Sequence, residues 1–593
     1  MPVPTTTLIS SDSESEDDIV VTQQETIDWE RRRQEQEAER RRVEAQRVGS
    51  PFKHPWWYSF SGMGPTPRSL VEWLTVDISK SIRTKPDWET KYKNPEIVAK
   101  WTAEIKEQCQ DRTKFIDEVI EYIFKELEWY ERVEKDLGTF HVACDDKILY
   151  SDNAIDNSLK KEFTTEVAKL VESYGGNYDY HPGSNNAVID LVHPSLFTVQ
   201  YDKTPILKDG SLEIVKFTEE IKNAKAHVST DAVSEKFQWI PALMTKNSSS
   251  GQFEFTSYIN NLHPVQYKEL YNSIGKIFNA TIPGLNCTLT RYASSEHIRV
   301  PIPSYEAAYN EQYEIDRDAL EAQLRAEEEE GNDPYDWDRY SEFEAGKAKY
   351  LLDFFPKWEH DPVFDKPIDL NTFDNLKVIV KLANIELTPE NPSYGGGAWH
   401  VEGTINEDIV ATVLYYYDME NISESRLSFR TGFEDPEYEQ GDSVYTTEIF
   451  GIKDEDKMVK ELGSVEAKQD RIAIFPNMYQ HHVDPFELTD KSKPGYRKIL
   501  CFFIVDPYNH RVLSTDQVPP QQKEWWDDST LDYLFPGNLK TEILQLKGDV
   551  SWPLTLREAK ETRSVLMEER SAPDEDDDDY DGAFTRRFSL CEH

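Results

Sequence analysis

His400 and Glu402 stand two residues apart in the run Trp399-His-Val-Glu-Gly403, in a segment that reads as extended chain. Side chains at i and i+2 of a strand leave the same face, so this imidazole and carboxylate can reach one metal ion. A second histidine would complete the 2-His-1-carboxylate set that holds Fe(II) with open coordination positions. Residues 471–487 supply one: a strand-like run (471–475) breaks at Pro476, and His481 and His482 follow within a turn. His481 is the preferred ligand, because in extended chain it shares a face with Val483, leaving His482 for the surroundings of the site or for solvent. Pro494 and Gly495 then lead to Arg497, ahead of the apolar strand Ile499–Val505. Alternation places Arg497 with Ile499, Cys501 and Phe503, and Lys498 on the opposite face.

This order of residues suits 2-oxoglutarate as a co-substrate. His400, Glu402 and His481 would occupy one face of an octahedral Fe(II), leaving three positions for the 2-oxo acid and O2. The distal carboxylate of the acid then needs a fixed cation, and the planar fork of Arg497 meets it in a way that lysine does not. A zinc hydrolase of the H-E-x-x-H type has no matching helix motif here. A germin-like cupin would want two histidines in the first motif, where only His400 is present. Tyr394, Trp399 and Tyr415–Tyr417 are aromatic candidates for a pocket wall, although core packing accounts for most of them. Asn477 and Arg430 are candidates for contact with cofactor or substrate.

Such a site needs short strands around it, and the sequence provides them. Leu376, Val378, Val380 and Leu382 alternate with Lys377 and Lys381, the pattern of a strand with one buried face. Further strand-like runs at 409–417, 444–450, 471–475 and 497–505 are separated by Gly, Pro, Asp and Asn clusters. The expected fold is α+β: a double-stranded β-helix, or jelly roll, at 350–545 with a large helical and mixed N-terminal region. Residues 51–300 form that region, opening with helical periodicity over 63–136. Residues 301–349 read as an acidic helical linker. Residues 546–572 hold a helix opened by the capping box Thr555–Glu558, and 573–593 are an acidic spacer and terminal tail. Phe588 and Leu590 in that tail are expected to dock or pack. Residues 1–50 read as a disordered charged tail.

At 593 residues the chain exceeds one core, and its 38% hydrophobic content is enough to pack several. A net charge of −45 argues against general affinity for nucleic-acid backbone or anionic membrane. Nothing approaches the roughly 20 apolar residues of a membrane helix. Cys109, Cys144, Cys287, Cys501 and Cys591 lack CxxC spacing, which fits reduced thiols in a cytosolic or nuclear protein. Ile19-Val20-Val21, beside the serine-rich acidic flank 10–18, has the form of a SUMO-interacting strand, though a plain tail accounts for it as well. The Arg-rich stretch 30–47 fits a solvated helix better than an import signal.

Several long motifs carry a resemblance. Phe237-Gln-Trp-Ile240, Tyr258-Ile-Asn-Asn-Leu-His-Pro264, Lys377–Ile385, Trp399–Gly403, Ala411–Asp418, Lys493-Pro-Gly-Tyr-Arg-Lys498 and Phe588-Ser-Leu-Cys-Glu-His593 resemble a family of large, mostly fungal proteins known as a domain of unknown function. The C-terminal part is also similar to prolyl-hydroxylase-like oxygenases, whose pattern H-x-D, H-x-V, G-x-R/K is met by His400/Glu402, His481/Val483 and Gly495/Arg497. Two departures stand out. Glu402 replaces the usual aspartate, and the longer interval from His481 to Arg497 obliges loop 484–494 to fold back. The resemblance implies an Fe(II)- and 2-oxoglutarate-dependent oxygenase; its substrate is open, and the large accessory region suits a macromolecule such as a protein. The alternative is a non-catalytic jelly-roll scaffold for protein partners whose metal site is vestigial or structural.

Overall fold

The computed structural model describes residues 50–53, 64–109, 111–208, 211–218, 232–329, 337–440, 442–526, 530, 532, 552–570 and 584–590. The Ile19–Val21 motif, the charged stretch 30–47, the acidic run 574–579 and Cys591 lie outside them. The described chain is a mixture of helices and antiparallel sheet.

The principal helices are α1 (Leu70–Arg83), α2 (Pro95–Cys109), α3 (Ile116–Leu137), α4 (Asn157–Ser173), α5 (Lys268–Ala293), α6 (Glu311–Glu329), α7 (Trp337–Ala345) and α8 (Leu556–Glu569). The principal strands are β1 (His141–Val142), β2 (Leu149–Ser151), β3 (Val188–Val192), β4 (Ala242–Lys246), β5 (Phe253–Phe255), β6 (Asn375–Leu387), β7 (Ile409–Glu420), β8 (Ser425–Gly432), β9 (Val459–Ala467), β10 (Ile472–Pro476), β11 (Gln480–Val483) and β12 (Gly495–Val505). Among the described residues, the larger sheet runs β1–β2–β10–β7–β12–β6–β4–β5, with β3 also pairing β6. A smaller sheet runs β9–β8–β11. Strands from residues 141–255 therefore extend the sheet built by 375–505.

Both faces of the larger sheet are covered, which explains the near-continuous apolar runs in β7, β10 and β12. On one face Val413, Tyr415, Tyr417, Ile474 and Phe502 pack against the helices. The stripe Leu270, Ile274, Ile277, Phe278, Ile282, Leu285 and Leu289 of α5 recurs at three- and four-residue steps and is buried there. On the other face Leu414, Tyr416, Phe475, Cys501 and Phe503 meet Leu427, Phe429, Leu462 and Val465 of the smaller sheet. The strand pattern expected for 375–387 thus needs a correction: Ile379, Ala383 and Ile385, on the lysine-bearing face, are buried too. Lys377 reaches out to the carbonyls of His510 and Val512, whereas Lys381 stays inside.

Residues 444–450, expected as a strand, are helical. The Asp442 side chain accepts from the amides of Val444 and Tyr445, starting a helical turn that a wider-pitched turn continues over Thr446–Phe450. Tyr445, Ile449 and Phe450 then share one side and join an aromatic cluster with Tyr309, Tyr313 and Tyr350. Phe588 is buried in the same cluster, and its amide bonds to the Asp456 carbonyl. The capping box at Thr555 and Glu558 is formed, and α8 docks through Arg563, which bonds Asp179 and, on β3, Asp190.

Candidate metal and anion site

The chain leaves β10 in the larger sheet at Pro476 and enters β11 in the smaller one at Gln480, so His481 sits where the sheets meet. His400 lies directly opposite it. The two main chains exchange both hydrogen bonds, His400 N to His481 O (3.1 Å) and His481 N to His400 O (2.9 Å). Opposed residues of an antiparallel pair carry their side chains on one face, and the two rings lie 4.4 Å apart between centroids. Their neighbours point the other way: Trp399 packs on His482 at 4.1 Å, and the Arg430 guanidinium lies 4.6 Å from the Trp399 ring centre. His482 contacts Asp484 and is not part of the site.

Glu402 completes the group. Its Oε1 lies 3.7 Å from His400 Nε2 and 3.4 Å from His481 Nε2. One donor atom from each of the three residues lies within 4.8 Å of the others. Octahedral ligands with bonds of about 2.1 Å sit roughly 3 Å apart, so a small closure would seat an ion. Glu402 is held by its backbone. Asn477, fully buried, accepts from the Glu402 amide (2.8 Å) and donates to the Glu402 carbonyl (2.8 Å) and to Ile409 O (3.1 Å). Asn477 therefore turns to the main chain rather than to a ligand. Gly403 follows at φ +66°, where a Cβ would lie 2.9 Å from Ile409 Cδ1. The His400 Nδ1 faces Ala398 O at 2.8 Å, which leaves Nε2 for Glu402 or a metal.

The three groups influence one another's protonation. Burial pushes the Glu402 carboxyl up, but the flanking His400 and His481 imidazoles outweigh it and hold the group well below the carboxylate range. Burial, reinforced by His400, pushes His481 down to about 4 despite Glu402. An ionised Glu402 and a neutral His481 are the forms in which these residues ligate metals. His400 is 48% exposed and His481 4%, so solvent approaches from the His400 side. Phe475 and Phe429 close the site behind His481.

Arg497 lies on the same interior face of the larger sheet and is 1% exposed. Loop 484–494 does fold back: Phe486–Glu487 pairs with Ser393–Tyr394, and the Phe486 ring lies 4.8 Å from the guanidinium. Arg497 donates to Ser425 Oγ, its Nε has no hydrogen-bond partner, and among the described residues no carboxylate pairs with it. Burial without a counter-ion depresses its pKa. Tyr416 OH and Thr412 Oγ1, on the same face, are also buried without partners. Of Tyr415–Tyr417 only Tyr416 faces the site; the other two pack against the helices. Lys498 lies opposite and pairs with Asp418 at 2.7 Å.

Sequence reasoning missed Ser425 and Lys381. The apolar Ile379, Ala383 and Ile385 around Lys381 were the available signal that its face is covered. Two other groups of potential metal ligands occur among the described residues, and both are engaged elsewhere. In His181/Asp190/His193, Asp190 bonds His181 and Arg563; in Glu89/Glu134/His141, Glu134 bonds His141 and the Val142 amide.

Residues 117–529 match a family described as a protein of unknown function, DUF4246, and residues 27–104 match the N-terminal domain of the same family. The chain belongs to this family. No functionally curated protein matches it. Among solved structures, a bsmA homolog from Methylobium petroleophilum PM1 is 8% identical over 22% of this chain and 42% of that one, with a TM-score of 0.14. The Fe(II)/(alpha)ketoglutarate-dependent dioxygenase TqaL is 12% identical over 61% of this chain and 95% of that one (TM-score 0.21). A prolyl hydroxylase from Trichoplax adhaerens, in complex with a hypoxia inducible factor peptide, is 11% identical over 64% and 93% (TM-score 0.22). The chain spans less than half the length of the first of these.

Proposed function

We propose that this protein is an Fe(II)- and 2-oxoglutarate-dependent oxygenase built on a double-stranded β-helix. In this reading β10, β7, β12 and β6 form the larger wall of the β-helix, and β9, β8, β11 and the His400 segment form the smaller. His400, Glu402 and His481 would hold the metal through three donors on one side. Arg497 would take the distal carboxylate of 2-oxoglutarate.

The observation that carries the reading is the buried Arg497 guanidinium, without a counter-ion among the described residues, on the same interior face as the three ligands. An unpaired buried charge is costly, and a bound carboxylate removes that cost. Its unpartnered Nε, with the Tyr416 OH nearby, fits the group for the same reason. When bound, Fe(II) and 2-oxoglutarate supply, with O2, the oxygen inserted into a substrate C–H bond, releasing succinate and CO2. The protein's own part is positional: Asn477 fixes Glu402, the Ala398 carbonyl fixes the His400 tautomer, and Phe429 and Phe475 exclude water from behind. A large surrounding structure accords with a macromolecular substrate.

Purified protein should take up Fe(II), or Mn(II) as a redox-silent substitute, bind 2-oxoglutarate anaerobically, and release succinate in air. His400→Ala should lose the metal and, with it, tight 2-oxoglutarate binding. A protein that neither binds 2-oxoglutarate nor forms succinate with Fe(II) and ascorbate overturns the reading; zinc in the purified protein would point to hydrolysis instead.

A further inference from the structure

Lys381 sits in the middle of β6 and carries its side chain into the interior that holds Glu402 and Arg497. It lies opposite Cys501 on β12, and Cys501 belongs to the core between the two sheets. The side chain is half-buried, and among the described residues it makes no hydrogen bond or ion pair. Glu402 is the carboxylate acting most strongly on it, without approaching to ion-pair distance. Burial works against the ammonium, but Glu402 and, more weakly, Asp190 keep it charged from a distance; with no acceptor at hydrogen-bond distance among the described residues, its N–H groups are open to an anion.

Register sets the spacing. Arg497 lies four residues before Cys501 on β12, which puts the roots of the two cations roughly 14 Å apart at about 3.4 Å per residue. A separation of that size is one that two long side chains and a five-carbon diacid can together span. Cys501 lies opposite Lys381 and four residues along the same strand from Arg497, so both cations leave the same face of the sheet. Lys381 is the cation beside the metal ligands, and Arg497 is the remote one.

We infer that Lys381 and Arg497 are the two poles of a dicarboxylate site, with Lys381 holding the carboxylate next to the metal and Arg497 the distal one. The assignment rests on the function proposed above and deepens it. Once a metal binds, the Glu402 charge is engaged by the ion, and Lys381 then needs the acid as its partner. The same ammonium opposes the incoming metal, so its removal should favour metal binding while weakening acid binding.

Anaerobic calorimetry on the full chain loaded with Mn(II) tests this with two probes: 2-oxoglutarate, and 2-oxovalerate, which keeps the 2-oxo acid head but lacks the distal carboxylate. Lys381→Met should weaken both acids by about 10–100-fold, the loss of one charge-assisted hydrogen bond, and should tighten Mn(II). Arg497→Met should weaken 2-oxoglutarate alone, down to the level of 2-oxovalerate. Lys381→Arg should recover much of the binding, and Lys381→Gln serves in place of the Met variant if thermal unfolding shows that one misfolded. Unchanged affinity for both acids in the Lys381 variants overturns the assignment while leaving the oxygenase reading intact, as does a loss confined to 2-oxoglutarate. A parent protein that binds neither acid with Mn(II) overturns both.

Discussion

Asn477 commits both ends of its amide to the backbone of Glu402, so it can be removed without deleting a ligand. Asn477→Ala should leave the protein folded and weaken metal binding about 10-fold or more, the usual consequence of losing an orienting partner, as Mn(II) titration would show. An unchanged affinity would mean that Glu402 is positioned by the Gly403 turn alone. That His400, Glu402 and His481 come together, and that Arg497 faces the same interior, was legible in the sequence because a period of two and strand order specify which side chains share a face. Lys381 was not. Lys377 and Lys381 make their face of the strand look open, and the apolar Ile379, Ala383 and Ile385 on that same face are the sign that the second sheet closes it.

At the scale of elements, the turn after Glu402 and the corner around β3 each make a separate demand. Gly403 has φ +66° and its missing Cβ would meet Ile409 Cδ1 at 2.9 Å and Glu407 Oε2 at 3.0 Å. Gly403→Ala should cost about 1–3 kcal/mol in thermal unfolding and reduce metal affinity, since the strain falls on Glu402's neighbour. Next to β3, burial pushes the His193 imidazole down to about 3, and Lys381, His181 and Arg563 add to the effect against Asp190. The folded protein thus keeps His193 neutral where the unfolded chain protonates it near 6.5. Stability from this group is complete above pH 6.5 and falls as pH drops toward 3, by about 5 kcal/mol at most. Denaturant unfolding of His193→Gln should show a flatter pH dependence across that window; an identical slope would refute it. The 444–450 run shows why its structure was misread: Tyr445, Ile449 and Phe450 suit a strand by type, and the Asp442 cap decides for a helix.

For the whole molecule, the sheet is shared between distant parts of the sequence. Residues 382–385 of β6 pair with β3 and 375–378 with β4, while α5 covers the opposite face from the site, with Gly284 close against Ile474. A fragment of 350–545 alone would expose that edge and that face, and should be insoluble or lack cooperative unfolding; 64–570 should fold, as circular dichroism and thermal melts can establish. Such pairing is invisible to local pattern, because β3 and β4 are short and nothing in their own residues names β6 as partner. No helix among the described residues is long and apolar enough to cross a membrane. The uncompensated Arg497 has a practical consequence for whoever purifies this protein. On the function proposed above, a guanidinium enclosed by Phe486, Tyr416 and Ser425 should carry small acids over from a cell extract and release them slowly. Mass spectrometry of the small molecules freed when the purified protein is denatured should therefore recover an organic acid from the parent chain and none from Arg497→Met.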